Sequence, residues 1–136
     1  MTFKRIMFEL VCVTVAGIPE SVNHIWRGTR SGRHYKTTKA KNFEFLLTHA
    51  LRAGRRLDGV YDGAVRLVMV IGRKTKRRYD LDNRIKSVQD CLAPAGIIAD
   101  DSQVVEISAR KILADEDTTT VIVETVEAGH GGADEE

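Results

Sequence analysis

Acidic residues stand at both ends of one short predicted helix, and that arrangement constrains the chain more than any other stretch of its 136 residues. Ahead of the helix, residues 64–71 alternate as a strand, with Val65, Leu67, Met69 and Ile71 on one face and Arg66, Val68 and Val70 on the other. A basic stretch, Arg73, Lys74, Lys76, Arg77 and Arg78, leads through Tyr79 into the run Asp80-Leu81-Asp82-Asn83. Ile85, Val88 and Leu92 then follow a helical pattern until Pro94 and Gly96 stop it, with Asp82 or Asn83 as N-cap. Asp100-Asp101 comes next, and Val104 to Leu113 alternates again as a strand. Side chains two apart on extended backbone share a face, so Asp80 and Asp82 aim at one point. Carboxylates gathered in this way repel one another unless a cation neutralises them. A hard divalent ion held through oxygen fits that need: Mg²⁺, or Mn²⁺ in its place.

The rest of the chain supplies a sheet and a second helix. A strand is predicted near residues 4–15, where Phe8, Leu10, Val11, Val13 and Val15 read as apolar on both faces, the pattern of a central strand. Gly17, Pro19, Ser21 and Asn23 mark a turn, and Arg27 to Tyr35 reads as an irregular basic segment. Phe43, Leu46, Leu47 and Ala50 predict a helix over about Thr38 to Ala53, with a Thr at its start and Gly54 beyond its end. Thr119 to Val126 is rich in β-formers, and the short link Asp115-Glu116-Asp117 pairs it with the preceding strand as a hairpin. The fold class is therefore α+β in two layers: a mixed or antiparallel sheet of about four strands with two main helices. A chain of this length holds one domain over 1–127, and the Gly, His and acid-rich residues 128–136 form a disordered acidic tail.

Charge narrows the function. Residues 1–113 carry all 21 Lys and Arg against 11 Asp and Glu, whereas residues 114–136 carry eight acids and no Lys or Arg. Arg27, Arg30, Arg33 and Lys36 form one acid-free basic cluster, extended by Lys39 and Lys41, and Arg73 to Arg78 form the other. Phosphate complements such clusters, and a polyanion can approach carboxylates only where flanking cations hold it there. Cys12 and Cys91 lack partners at zinc-ligand spacing, and a reduced cytoplasmic setting follows. No apolar run approaches a membrane span, and Glu9 interrupts the first, which lacks a signal-type cleavage site; secretion and membrane insertion are both disfavoured.

The ordered residues carry a family resemblance. Asp80-Leu81-Asp82-Asn83, Lys86, Asp90, Leu92, Gly96, Ile97 and Asp100-Asp101-Ser102-Gln103-Val104-Val105, with Ser21-Val22-Asn23, Trp26-Arg27 and Tyr35 upstream, resemble the RusA family of Holliday-junction resolvases. A bare Asp-x-Asp is unspecific, but Lys86 four residues after Asp82 and Asp101 nineteen after it make an ordered set. The similarity covers roughly residues 6–126. It implies a homodimeric, Mg²⁺-dependent endodeoxyribonuclease of phage or prophage type that resolves four-way DNA by paired nicks in recombination and repair. It also implies that Asp80, Asp82 and Asp101 are metal-holding catalytic residues, with Asp100 the alternative to Asp101, and that Lys86 is the catalytic lysine. Arg27, Arg30, Arg33, Lys36, Arg73, Lys74, Lys76, Arg77 and Arg78 are the expected nucleic-acid contacts. Such an enzyme works in the cytoplasm of a bacterial or phage-infected cell, at the nucleoid. Tyr79 departs from the family pattern, which often has Arg before the first Asp.

Each piece also has a plainer reading. Asp82 or Asn83 can serve only as a cap, Asp100 and Asp101 only as a turn, and Lys86 only as an i,i+4 partner of Asp82 or Asp90. On that reading the chain is a branched-DNA-binding module with structural carboxylates and no catalysis. An aspartyl phosphatase built on Asp-x-Asp fits less well, since Arg84 follows Asn83 where such enzymes have Thr and the chain is short for their doubly wound fold. Trp26 and Tyr35 either stack on exposed bases or cover the sheet edge.

Overall fold

The computed structural model describes residues 6–21, 26–28, 34–76 and 78–127. Arg30, Arg33, Arg77 and the tail 128–136 lie outside the described residues, and only the backbone of Trp26, Arg27, His34 and Tyr35 is described. The main sheet has four strands: β1 (Ile6–Ala16), β4 (Val65–Arg73), β5 (Val104–Leu113) and β6 (Thr118–Val126). Helix α1 (Thr38–Gly54) and the shorter α2 (Ile85–Gln89) complete the α+β architecture. The basic segment read as irregular contains a small hairpin, with β2 (Trp26–Gly28) antiparallel to β3 (His34–Lys36). Strands of three residues carry too little alternation to stand out beside Gly28 and Gly32.

Two expectations about the sheet fail. Its order is β1-β6-β4-β5, so β5 and β6 are not hairpin partners; β4 lies between them. β5 pairs parallel with β4, while β6 pairs antiparallel with both β4 and β1. The link from β5 to β6 must therefore pass over the end of β4, and Gly72 makes room for it. A Cβ at Gly72 would stand 2.9 Å from the Ala114 Cβ and 3.0 Å from the Thr118 hydroxyl, and Arg73 accepts the Ala114 backbone hydrogen bond at 2.8 Å. Nor is β1 central. It is an edge strand whose register slips between Glu9 and Val11, which lets the consecutive Leu10 and Val11 both turn inward. That slip is why the strand reads as apolar on both faces.

The parallel β4–β5 pair demands a crossover, and the segment containing α2 is that crossover. α1 begins where Thr37 accepts the Ala40 amide at 3.2 Å, and it buries Ala40, Phe43, Leu47 and Leu51. Leu46 stays exposed, so the stripe facing the sheet is displaced from the expected one. α1 and the α2 segment, through Val88, Leu92 and Ile98, share one apolar core with Leu67, Met69, Ile71, Val121 and Val123 of the sheet. Gly96 ends the turn that follows α2 at a φ of +81°, where a side chain would be strained. Among the described residues, no helix is long and apolar enough to cross a membrane.

Candidate active site

β4 delivers the chain to the first acidic segment, whose backbone is not extended as expected, because Leu81 is helical at φ −65° and ψ −42°. Tyr79 and Leu81 pack against the core, which leaves Asp80 and Asp82 exposed to solvent. The Tyr79 carbonyl accepts from Lys111 Nζ at 2.8 Å, tying the segment to β5. A 3₁₀ turn at Asp82–Arg84 precedes α2, and its N-cap position is Leu81, without a side-chain cap bond. Asp82 is therefore not engaged as the expected helix cap, and its carboxylate projects into solvent. Asn83 Nδ2 donates to Asp80 Oδ2 at 3.4 Å.

The second acidic segment is built differently. Asp100 caps a 3₁₀ turn, Asp101–Gln103, accepting the Ser102 amide at 2.8 Å, and hydrogen bonds from the Ser102 side chain and then its amide hold the Asp100 carboxyl below the usual range. Gln103 completes the capping box: its Oε1 accepts from the amides of Ala99 at 2.7 Å and Asp100 at 3.0 Å. Its Nε2 donates to the carbonyls of Tyr61 at 2.8 Å and Gly63 at 2.9 Å. Gln103 thus moors this turn to the loop before β4, a role its place in the sequence motif does not reveal. With Asp100 occupied as a cap, Asp101 is the half-buried carboxylate of the pair with no such duty.

Lys86 lies between the two segments. Its ammonium donates to Asp90 Oδ1 at 2.8 Å, the i,i+4 pair foreseen as the plain reading, and it is 66% exposed. The hydrogen bond to Asp90 and that residue's charge raise the Lys86 pKa, and the Asp101 charge adds to the rise. Lys86 is therefore within electrostatic reach of the second acidic segment. Among the described residues, no three His, Cys, Asp or Glu side chains stand close enough together to hold a metal ion. The donor chemistry nevertheless suits a hard divalent cation: Asp80, Asp82 and Asp101 offer only carboxylate oxygens, and none of them is in an ion pair among the described residues.

The basic residues sort into two groups. Lys74, Lys76 and Arg78 are exposed on the loop after β4. Arg73 is drawn inward, 4.0 Å from Asp117, and Lys36 pairs with Glu44 at 2.7 Å. Arg84, Lys111 and Lys39, none of them among the expected contacts, stand near the same end of the sheet. Arg84 and Lys111 lie 5.2 and 4.6 Å from the centre of the Tyr79 ring, and Arg73 lies 5.1 Å from it. Burial raises the Tyr79 pKa although Arg73 and Arg84 oppose it, and burial lowers that of Arg84.

Residues 17–124 match the family model for endodeoxyribonuclease RusA, a span that contains both acidic segments, Lys86 and the basic loop. The chain belongs to the RusA family. Among curated relatives of this RusA-family chain, the crossover junction endodeoxyribonuclease RusA of Aquifex aeolicus (strain VF5) is 27% identical over 95 residues, covering 69% of this chain and 72% of the relative. The crossover junction endodeoxyribonuclease of Enterobacteria phage HK97 is 30% identical over 89 residues, covering 65% of this chain and 72% of the relative.

Proposed function

We propose that this RusA-family endodeoxyribonuclease resolves Holliday junctions by paired symmetric nicks, using a divalent cation at Asp80, Asp82 and Asp101. The observation that carries the reading is the family match over 17–124, which takes in the whole ordered set from Asp80 to Gln103. Two relatives named for crossover junctions support the choice of branched DNA.

The chain's own groups divide the work. Asp80 and Asp82 are exposed at one end of the crossover and Asp101 is half-buried at the other, and together they would hold Mg²⁺, or Mn²⁺ in its place. A cation bound there would supply Lewis acidity for hydrolysis of the phosphodiester by water. Lys86 moves from Asp90 to a phosphate oxygen and offsets the charge that develops in the transition state. Lys74, Lys76 and Arg78 hold the flanking backbone against the repulsion of the carboxylates. No side-chain nucleophile is required.

Two cuts placed symmetrically call for two copies of the site, which a two-fold dimer provides. The edge strand β5 supports that assembly: Val105, Ile107, Ile112 and Leu113 are 55%, 42%, 46% and 60% exposed along an unpaired sheet edge. A single domain over 1–127 carries the activity, working on DNA in the cytoplasm of a bacterial or phage-infected cell. A bacterial and a phage relative support that setting.

Incubating the protein with synthetic linear, forked and four-way DNA, with and without Mg²⁺, tests the reading. Paired nicks near the branch of four-way DNA, dependent on Mg²⁺, are expected. Junction binding without nicks at any divalent-ion concentration would instead favour a non-catalytic branched-DNA-binding module.

A further inference from the structure

Tyr79 is the centre of a charge arrangement that the acidic site does not use. Three cations, Arg73, Arg84 and Lys111, surround its ring at 5.1, 5.2 and 4.6 Å. The Tyr79 hydroxyl and the Nε atoms of Arg73 and Arg84 are buried without a hydrogen-bond partner among the described residues. Buried donors left unmatched are costly, and the Nε of Arg73 faces Asp117 at 4.0 Å. Between the Tyr79 ring and the turn after β1 lies a cleft of about 290 Å³, lined by Arg73, Arg78, Arg84 and Lys39 together with Glu20, Ser21 and Ile18.

Countercharge at this cleft is short. Among the described residues Glu20 is the one acid lining it, 3.4 Å from Lys39, and Asp117 stands 4.0 Å from Arg73. Arg84 is fixed by donating to the Pro19 carbonyl at 2.6 Å, which orients its guanidinium along the turn rather than into solvent. The partly buried guanidinium groups of Arg73 and Arg84, joined by the exposed Arg78 and in excess over carboxylates, suit a phosphate oxyanion, which accepts several donors at once. Asp80 directly follows Tyr79 in the chain, so the cleft and the first acidic segment share one stretch of backbone.

Resting on the reading above, we propose that this cleft binds one DNA phosphate other than the one that is cut, held by Arg73, Arg78 and Arg84 against the Tyr79 ring. The cleft sets the register of the strand: a phosphate seated in it fixes which neighbouring phosphodiester meets the carboxylates.

Two measurements on the full chain test the proposal. In the first, inorganic phosphate is titrated while the arginine side-chain resonances are followed by NMR. Arg73, Arg78 and Arg84 should shift saturably, and Arg84→Gln should weaken the binding about tenfold. Lys74→Gln removes a charge from the same loop but lines no part of the cleft, and should leave phosphate binding unchanged. In the second, each phosphate of one junction strand is neutralised in turn as a methylphosphonate. One uncut position should weaken wild-type binding about tenfold, and that penalty should vanish in Arg84→Gln and shrink in the exposed Arg78→Gln, which leaves the packing around Tyr79 intact.

Unmoved arginine resonances would overturn the proposal. So would a phosphate site with no coupled position in DNA, because the ligand would then be free phosphate. Four-way DNA left uncut by a wild-type protein whose cleft still binds phosphate would instead count against the nuclease reading, so the two failures are separable.

Discussion

At the scale of single residues, the acids that look alike in sequence do different things. Asp100 is committed to its turn through the Ser102 amide, while Asp82, which composition would equally assign to capping, caps nothing. Asp82→Asn should therefore reduce cleavage by about a hundredfold or more while leaving the fold unchanged. Junction binding should stay equal or tighten slightly, because a negative charge facing phosphate is gone. Equal loss of binding and cutting in a folded variant, read by gel shift beside a nicking assay, would assign Asp82 a structural role. Gln103 makes the opposite case. Its amide serves Ala99, Asp100, Tyr61 and Gly63 at once, so Gln103→Ala should destabilise the protein by about 2 kcal/mol in urea unfolding. Cleavage should fall further than DNA affinity, since the loss frees the turn that presents Asp101.

At the scale of elements, the most consequential contact is the passage of the β5–β6 link across β4. Gly72→Val would drive a side chain into Ala114 and Thr118, and should cost about 2–3 kcal/mol by urea unfolding. Gly59→Val, where an added Cβ meets nothing within 4 Å, should change stability by less than about 0.5 kcal/mol. This crossing also marks where sequence reasoning stops. Alternation in residues 64–71, 104–113 and 119–126 locates three strands closely, because a half-buried strand writes its two faces into consecutive residues. Partner choice is not written that way. A three-residue acidic link between two alternating runs reads as a hairpin, and nothing local records that another strand intervenes. The same holds for the site. Asp80, Asp82, Lys86 and Asp101 can be named as candidates because they fall in one ordered run of the chain. Arg84 and Lys111 beside Tyr79 cannot be, since cation–ring contacts join residues 32 positions apart as readily as neighbours.

At the scale of the whole molecule, positive charge is divided between an exposed loop and a desolvated cluster behind it. Reversing Lys74, Lys76 and Arg78 to Glu should weaken junction binding and flatten the fall of log affinity with log salt, by about one unit of slope for each phosphate the loop no longer neutralises. Lys36→Gln should leave that slope unaltered, because Lys36 is already bound to Glu44. Binding measured from low to moderate salt checks both; an unchanged slope in the triple variant would exclude the loop as a backbone contact.

Asp117 gives this division a mechanical side. Its carbonyl receives the Gly17 amide at 2.8 Å, its carboxylate receives the Lys74 amide at 3.0 Å, and Arg73 stands 4.0 Å away. One residue in the acidic link thus clasps the root of the cationic loop to the end of β1, while Lys76 and Arg78 beyond the clasp are exposed. A loop pinned at its stem offers its exposed cations to a nucleic-acid backbone from a fixed root on the sheet.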